Sequence, residues 1–426
     1  MSTRVLLSTY GSRGDVEPFL ALGLGLAAAG CEVALSTADR FGDWIRAEAG
    51  SSLRFLPVTS SVIDLIETPA GKVLLEGFGG LRSIRAGLEL NRLAKPLNEQ
   101  LMDEQVAAAE AFEPDVVVYH SKAFALPHLA EARRIPALFG LLQPMIVPTR
   151  AFPLVGLPRL PLPGYNRLSY RAAELAFGAY KGPANRVRER LGLPPVRRAR
   201  EVLLPSGAGT IPVLHAFSSA VVPRPADWPP HAHLTGYWRL CAPDDEPPAE
   251  LRDFLAAGPP PVYVGFGSMP SADPAALTAL VLSALERADA RALISGGWGA
   301  LAAEASERVL PLGPTPHDWL FPRCAAVVHH GGAGTSAAGF HAGVPCVVCP
   351  FMGDQPFWAQ RSVDLGVGAP PVPRKTLSAE RLGDSLRVAL SDEGLRERAR
   401  ALAVTLARED GVARGVELVL RAVRGS

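Results

Sequence analysis

The sequence predicts an α/β fold of two Rossmann-like domains, each carrying its own parallel sheet, facing one another across an interdomain cleft. Three features point there. Residues 5–37 read as strand, tight turn, helix and strand, the opening of a βαβ unit. From residue 262 a second series of short apolar runs alternates with helical stretches, after a proline-crowded interval. A length of 426 residues suits two domains of ordinary size. Sheets of this kind hold ligands outside the carboxyl ends of their strands. The chemistry is therefore expected on the loops that follow strands.

The elements follow in order. Residues 5–9 are a short apolar strand and 11–15 a glycine-bearing turn. Pro18 suits the first turn of a helix, along which Phe19, Leu20, Leu24 and Ala27 recur at helical spacing. Gly30 fits the stop, and 33–37 is the next strand. Residues 115–119 (DVVVY) read as a buried strand and 123–133 as a helix. The stretch 135–165 is rich in Pro and Leu and nearly uncharged, the composition of a loop that lines or covers something apolar. In the second half, strands are expected at 262–265, 291–295, 309–312, 326–329 and 346–350, with a helix over 274–287. Helical spacing returns over 411–424. The domains expected are 1–222 and 246–408, with 223–245 as linker and 409–426 as a terminal helix.

Composition excludes several classes. Hydrophobic residues at 48% and charged residues at 20% exclude a disordered chain. Lys+Arg 43 against Asp+Glu 42 leaves a net charge of +1, without the basic footprint of a nucleic-acid binder. Five cysteines are too few and too odd in number for a disulfide scaffold, so a reducing, cytoplasmic setting is expected. The first residues lack the apolar core of a signal peptide, and no apolar run is long enough to span a bilayer.

Four strand-end motifs carry chemistry. Gly11-Ser12-Arg13-Gly14-Asp15 precedes a helix but lacks the G-x-G-x-x-G pattern, which argues against a dinucleotide. Asp15 there is either a helix cap or a general base in the cleft. His329-His330-Gly331-Gly332-Ala333-Gly334-Thr335-Ser336 follows a strand and starts a helix. Its glycines let backbone N–H groups approach a phosphate, Thr335 adds a hydroxyl, and His330 can donate to a phosphate oxygen. The G-K-[ST] ending of a P-loop is absent, and ligand spacing for a metal is missing. Gly353-Asp354-Gln355 pairs an acid with an amide at a strand end, which suits a polyol, with a helix cap as the plain reading. Gly265-Phe266-Gly267-Ser268 ends the first strand of the second half. His120 and Lys122, after DVVVY, and Gln143 are acceptor-contact candidates, with His120 an alternative base. Cys346 and Cys349 flank a strand rather than opening a helix, so they read as buried thiols.

Together these motifs resemble a known family. GSRGDVEP at 11–18, GFGSM at 265–269, PHDWLFPRC at 316–324, HHGGAGT at 329–335 and GDQPFW at 353–358 resemble the GT-B fold glycosyltransferases of family 1. The resemblance is strongest to bacterial antibiotic (vancomycin-group) glycosyltransferases and sterol 3-beta-glucosyltransferases. It is weak over roughly 60–155.

The resemblance implies roles. Asp15 is the base that deprotonates the acceptor. Ser12, Arg13, Ser268 and His317 are donor contacts. His330, Gly331, Gly332, Ala333, Gly334 and Thr335 hold the diphosphate, and Gly353, Asp354 and Gln355 hold sugar hydroxyls. The uracil-stacking Trp of the plant branch falls on Leu312, which leaves UDP and dTDP both open. The terminal helix would return to the first domain. Implied is an inverting transfer of a hexose from a UDP- or dTDP-sugar to a hydroxyl of a hydrophobic small molecule, a natural product in antibiotic biosynthesis. The nucleotide sugar is a co-substrate, and no cofactor or metal is expected. No nucleic-acid partner is expected, nor membrane contact. Competing readings are a sterol or lipid glucosyltransferase working at membranes, an epimerase, and a non-catalytic partner protein. The sequence leaves the sugar, the acceptor and the oligomeric state open.

Overall fold

The computed structural model describes residues 2–65, 68, 71, 80–240, 247–267, 273–297 and 301–425. The chain divides into two units. One comprises Met1–Gly71, Ile84–Leu240 and Asp410–Ser426; the other comprises Lys72–Ser83 and Cys241–Glu409.

The first unit holds a seven-stranded sheet in the order β3-β2-β1-β4-β5-β6-β7. Its strands are Arg4–Ser8 (β1), Glu32–Ala38 (β2), Arg54–Val58 (β3), Val116–Tyr119 (β4), Ala137–Leu141 (β5), Val213–His215 (β6) and Ala232–Leu234 (β7), all paired in parallel. β1 and β4 lie side by side, with Ser8 opposite Tyr119, and the strand order reverses between them. Their carboxyl ends form the switch point of this sheet.

Helix α1 (Arg13–Ala28) begins before the place its proline suggests. Pro18 lies in the body of the helix, so Gly14 loses the N–H that its carbonyl would receive there. Asp15, not proline, organises the first turn. Val16, Phe19, Leu20, Leu22 and Leu26 face a core shared with Val5, Leu7, Val33, Val118 and Trp238.

The proline-crowded stretch expected as a linker is largely part of this unit. It supplies β7, and it buries Trp228 and Trp238. The helix Gly411–Arg424 also belongs to this unit, packing Val412, Val416, Leu418 and Val419 onto the core that α1 covers.

The second unit holds a five-stranded parallel sheet, β10-β9-β8-β11-β12. Its strands are Val262–Gly265 (β8), Ala292–Ser295 (β9), Val309–Leu312 (β10), Ala326–His329 (β11) and Cys346–Val348 (β12). Alternate residues go to opposite faces. Val262, Val264, Ile294 and Val328 enter one core with the helices Pro274–Arg287 and Ala379–Ser391. Tyr263, Leu293 and Val327 enter another with Leu251, Leu320 and Phe321. Both faces are covered, as a parallel sheet requires. The order reverses between β8 and β11, where His329 pairs with Gly265.

Cys346 and Cys349 are buried, and burial pushes both thiols up to about 12. Cys31, Cys324, Cys346 and Cys349 are all unbridged. Among the described residues, no helix is long and apolar enough to cross a membrane.

Candidate functional site

Each switch point gathers a set of side chains. In the first unit, the first turn of α1, just after β1, brings Asp15, and the loop after β4 brings His120 and Lys122. Asp15 Oδ2 accepts from the Ser12 N–H at 2.7 Å and from Ser12 Oγ at 3.0 Å, which makes Asp15 the N-terminal cap partner of α1. Lys122 Nζ lies 3.7 Å from Oδ2, and His120 Nε2 lies 3.9 Å from Oδ1. Gly11 has φ +143°, and a Cβ there would sit 2.2 Å from Asp15 Oδ2 and 2.7 Å from Lys122 Nζ. Only glycine lets the turn pass this close to the pair.

The cluster has a definite charge state. Burial raises the Asp15 pKa, but Lys122, His120 and the Ser12 hydrogen bonds outweigh it and hold the carboxyl below its ordinary value. His120 goes the other way. Burial, reinforced by Lys122 and opposed by Asp15, lowers it to about 4. At neutral pH Asp15 is therefore a carboxylate and His120 a neutral imidazole. The His120 side chain is 2% exposed and that of Lys122 49%. Lys122 is open to solvent, whereas His120 is closed off behind Asp15. Gln105, absent from the sequence reading, supports the loop: its Nε2 donates to the Lys122 carbonyl at 3.3 Å, and its Oε1 accepts from the Ala125 N–H at 3.3 Å. It comes from the long helix Gly80–Phe112, and nothing in the local sequence marks it.

Ser12 and Arg13 have local partners. Ser12 is committed to Asp15. Arg13 stacks its guanidinium 4.4 Å from the Trp44 ring centroid and pairs with Glu17 at 3.3 Å. Gln143 follows β5 and is half-buried.

In the second unit the helix Ala333–Ala342 starts at the end of β11. His329 is fully buried, and its Nδ1 accepts the Gly331 N–H at 3.0 Å. That N–H is therefore occupied. The N–H groups of Ala333, Gly334 and Thr335 open the helix, where no preceding turn receives them. His330 is fitted between two glycines. A Cβ on Gly267 would lie 2.8 Å from its Cε1, and one on Gly332 2.6 Å from its Nε2. A Cβ on Gly334 would meet nothing within 4 Å. Burial, with His317 nearby, lowers His330 to about 4, so it is a neutral imidazole. His329 Nε2, His330 Nδ1 and Ser336 Oγ are buried without a partner. This is a helix N-terminus with unsatisfied donors and no acid among its residues, the composition of an anion site.

Asp354 and Gln355 both have structural duties. Asp354 Oδ2 accepts from Trp358 Nε1 at 2.8 Å. Gln355 is buried, and its Oε1 accepts the Phe351 and Met352 N–H groups at 2.7 and 3.0 Å. They hold the turn that leads into the helix Gln355–Asp364, in which Gly353 takes φ +63°. His317 starts the helix His317–Leu320 and stacks on Phe321 at 4.3 Å. Ser268 lies outside the described residues. Among the described residues no group of three His, Cys, Asp or Glu is placed to hold a metal ion.

Known proteins share these features. Residues 5–146 match the model of the glycosyltransferase family 28 N-terminal domain, and 281–413 match that of the erythromycin biosynthesis protein CIII-like C-terminal domain. Two sterol 3-beta-glucosyltransferases of Arabidopsis thaliana are similar along the chain. One is 35% identical over 425 residues, covering 97% of this chain and 64% of the relative. The other is 34% identical over 420 residues, covering 97% and 67%. The chain thus spans about two-thirds of their length. The crystal structure of the glycotransferase of kitacinnamycin superposes with a TM-score of 0.73 at 20% identity, covering 99% of this chain and all of that one. That of the Streptomyces sp. SF2575 glycosyltransferase SsfS6, complexed with thymidine diphosphate, gives 0.60 at 21% identity, covering 98% and 99%. By sequence and by fold, the chain belongs to the GT-B glycosyltransferase family that contains the sterol 3-beta-glucosyltransferases.

Proposed function

We propose that the protein is an inverting hexosyltransferase. It moves a sugar from a UDP- or dTDP-sugar to a hydroxyl of a hydrophobic acceptor, with Asp15 as general base. The observation that carries this reading is the start of the helix Ala333–Ala342. Unsatisfied backbone donors, the neutral His330 and the open face at Gly334 together suit a diphosphate and nothing of positive charge. The thymidine diphosphate named for SsfS6 supports a nucleoside diphosphate as the leaving group. The sterol relatives favour a sterol-like alcohol as acceptor over a polar one.

The reaction is a single displacement. The acceptor oxygen forms a bond to the anomeric carbon as the bond from that carbon to the diphosphate oxygen breaks. The hydroxyl proton passes to Asp15, and the nucleoside diphosphate leaves with the bonding pair. Attack from the opposite face inverts the centre, so an α-linked donor gives a β-glycoside. Asp15 is a weak base by virtue of its low pKa. It is nonetheless ionised across the neutral range, and the attacking oxygen becomes strongly acidic as its new bond forms. Charge developing on the diphosphate is met by the N–H groups of 333–335 and by His330, donors fixed before the reaction begins. Asp354 and Gln355 would offer the sugar what their local bonds leave of their hydrogen-bonding capacity.

The test separates binding from chemistry. Asp15→Asn should bind UDP or dTDP as the wild type does and lose about 10²–10⁴-fold in turnover. Undiminished turnover in that variant would remove Asp15 as the base.

A further inference from the structure

The motif at the end of β11 holds one side chain with no part in the reaction described so far. His329 is 0% exposed, although burying an imidazole takes two polar atoms out of water. Alternation along β11 puts it on the face of Val327, which enters a core with Leu320 and Phe321. An aliphatic side chain would fill such a place at less cost.

Its two nitrogens fare differently. Nδ1 accepts the Gly331 N–H at 3.0 Å, so Nδ1 carries no proton. Burial, with His330 and His317 nearby, lowers the ring to about 3 and keeps it neutral. The ring proton is then on Nε2, which has no hydrogen-bond partner among the described residues. The chain keeps an orphaned donor here, and what it gains is a bond across the turn.

That bond spans the step from sheet to helix. On the sheet side, the His329 carbonyl accepts the Cys349 N–H at 2.8 Å, just beyond β12. On the helix side, Gly331 takes φ +91°, and a Cβ there would lie 2.7 Å from Val348 Cγ1 and 3.0 Å from the Gln355 carbonyl oxygen. The turn is pressed onto β12, and Gly332 enters the helix with no side-chain cap. The Ser336 N–H closes the first helical turn on the Gly332 carbonyl at 2.9 Å. The imidazole thus ties the fixed strand to the open N–H groups of Ala333, Gly334 and Thr335. Without an acceptor at position 329 the Gly331 N–H would be buried and unpaired, and the turn would have to rotate to release it.

We propose that His329 is a positioning residue for the diphosphate: it touches no ligand and fixes the aim of those three N–H groups through Gly331. The inference rests on the diphosphate reading of this helix start. Donors held in place before binding lose little freedom when the ligand arrives, and they meet developing charge without rearranging.

The test pairs two variants of the full chain. His329→Asn supplies a side-chain carbonyl that can accept the N–H two residues on, as in an Asx turn. His329→Phe keeps a ring and removes the acceptor. Titration calorimetry with UDP and dTDP reads nucleotide affinity, and urea unfolding reads stability. The Phe variant should bind the preferred nucleotide about tenfold more weakly, and the Asn variant within about threefold of the wild type. Asn gives up the buried ring, so a merely structural histidine would make Asn the weaker binder of the two. Wild-type affinity in the Phe variant, or equal loss in both, would overturn the proposal. A wild type that binds neither nucleotide would overturn the diphosphate reading itself, and the positioning role with it. One measurement needs no variant: long-range nitrogen–proton NMR correlation on the wild type should show His329 as the Nε2–H tautomer. An Nδ1–H tautomer would remove the bond to Gly331 and overturn the proposal.

Discussion

Gly334→Ala separates a glycine kept for a ligand from one kept for the fold. A Cβ at Gly334 would have no neighbour within 4 Å, and the residue lies in the first turn of the helix Ala333–Ala342. Alanine is favoured over glycine in a helix by about 0.8–1.0 kcal/mol, so the variant should be as stable as the wild type or up to about 1 kcal/mol more stable. The diphosphate proposed for this helix start would approach the same N–H groups, and the methyl group would push it away. Losing one hydrogen bond to a charged group costs about 1.5–3 kcal/mol, a rise of about 10- to 150-fold in Kd. Gly332→Ala is the contrast. Its Cβ would lie 2.6 Å from His330 Nε2, an overpacking worth about 1–3 kcal/mol in lost stability. Urea unfolding and calorimetric titration with UDP and dTDP read the two effects separately. Wild-type nucleotide affinity in a folded Gly334→Ala variant would refute the placement of the diphosphate.

Other outcomes follow from the charge states. Lys122→Met removes the largest influence lowering the Asp15 pKa, so the acid limb of the kcat/KM profile should move to higher pH; an unmoved limb would show that Asp15 does not set it. Global stability should fall on acidification. Burial lowers His120 and His330 to about 4 and His128, His215 and His329 to about 3, from an ordinary 6.5. The unfolded chain takes up protons below about pH 6.5 that the folded chain refuses, so this stabilisation is complete above that pH and drains as pH falls through 4 to about 3. Each histidine contributes up to about 1.4 kcal/mol per pH unit. Unfolding midpoints in urea that stay constant between pH 7 and 5 would contradict those environments. Breaking the Arg188–Glu131 pair should also be costly: its bidentate bonds of 2.6 and 3.1 Å are buried, so Arg188→Met should lose about 3–5 kcal/mol, read by chemical denaturation.

Much of this was legible in the sequence where local pattern and topology agree. Continuous apolar runs such as 116–119 and 326–328 could only be strands buried on both faces. The rule that ligands collect after strands then led to Asp15, His120, Lys122 and His330 without a structure. Short strands were another matter. β3 contains Pro57, while β6 and β7 have three residues each, so their registers are set by neighbours rather than by their own composition. The same non-local cause hid Trp228 and Trp238 inside an apparent linker. Motif reading also merged residues whose roles differ. The N–H of Gly331 serves His329, while Gly334 faces open space. Arg13 is taken up by Trp44, distant in sequence, which no spacing within the motif could reveal.

The most direct test of glycosyl transfer is product stereochemistry. Wild-type protein and Asp15→Asn would be incubated with UDP-glucose or dTDP-glucose and a panel of 3-hydroxysterols and aromatic alcohols, and the glycoside linkage read by NMR. The account predicts a β-glycoside formed together with one nucleoside diphosphate, with Asp15→Asn slower by at least about a hundredfold. An α-glycoside, or a variant as fast as the wild type, would contradict it.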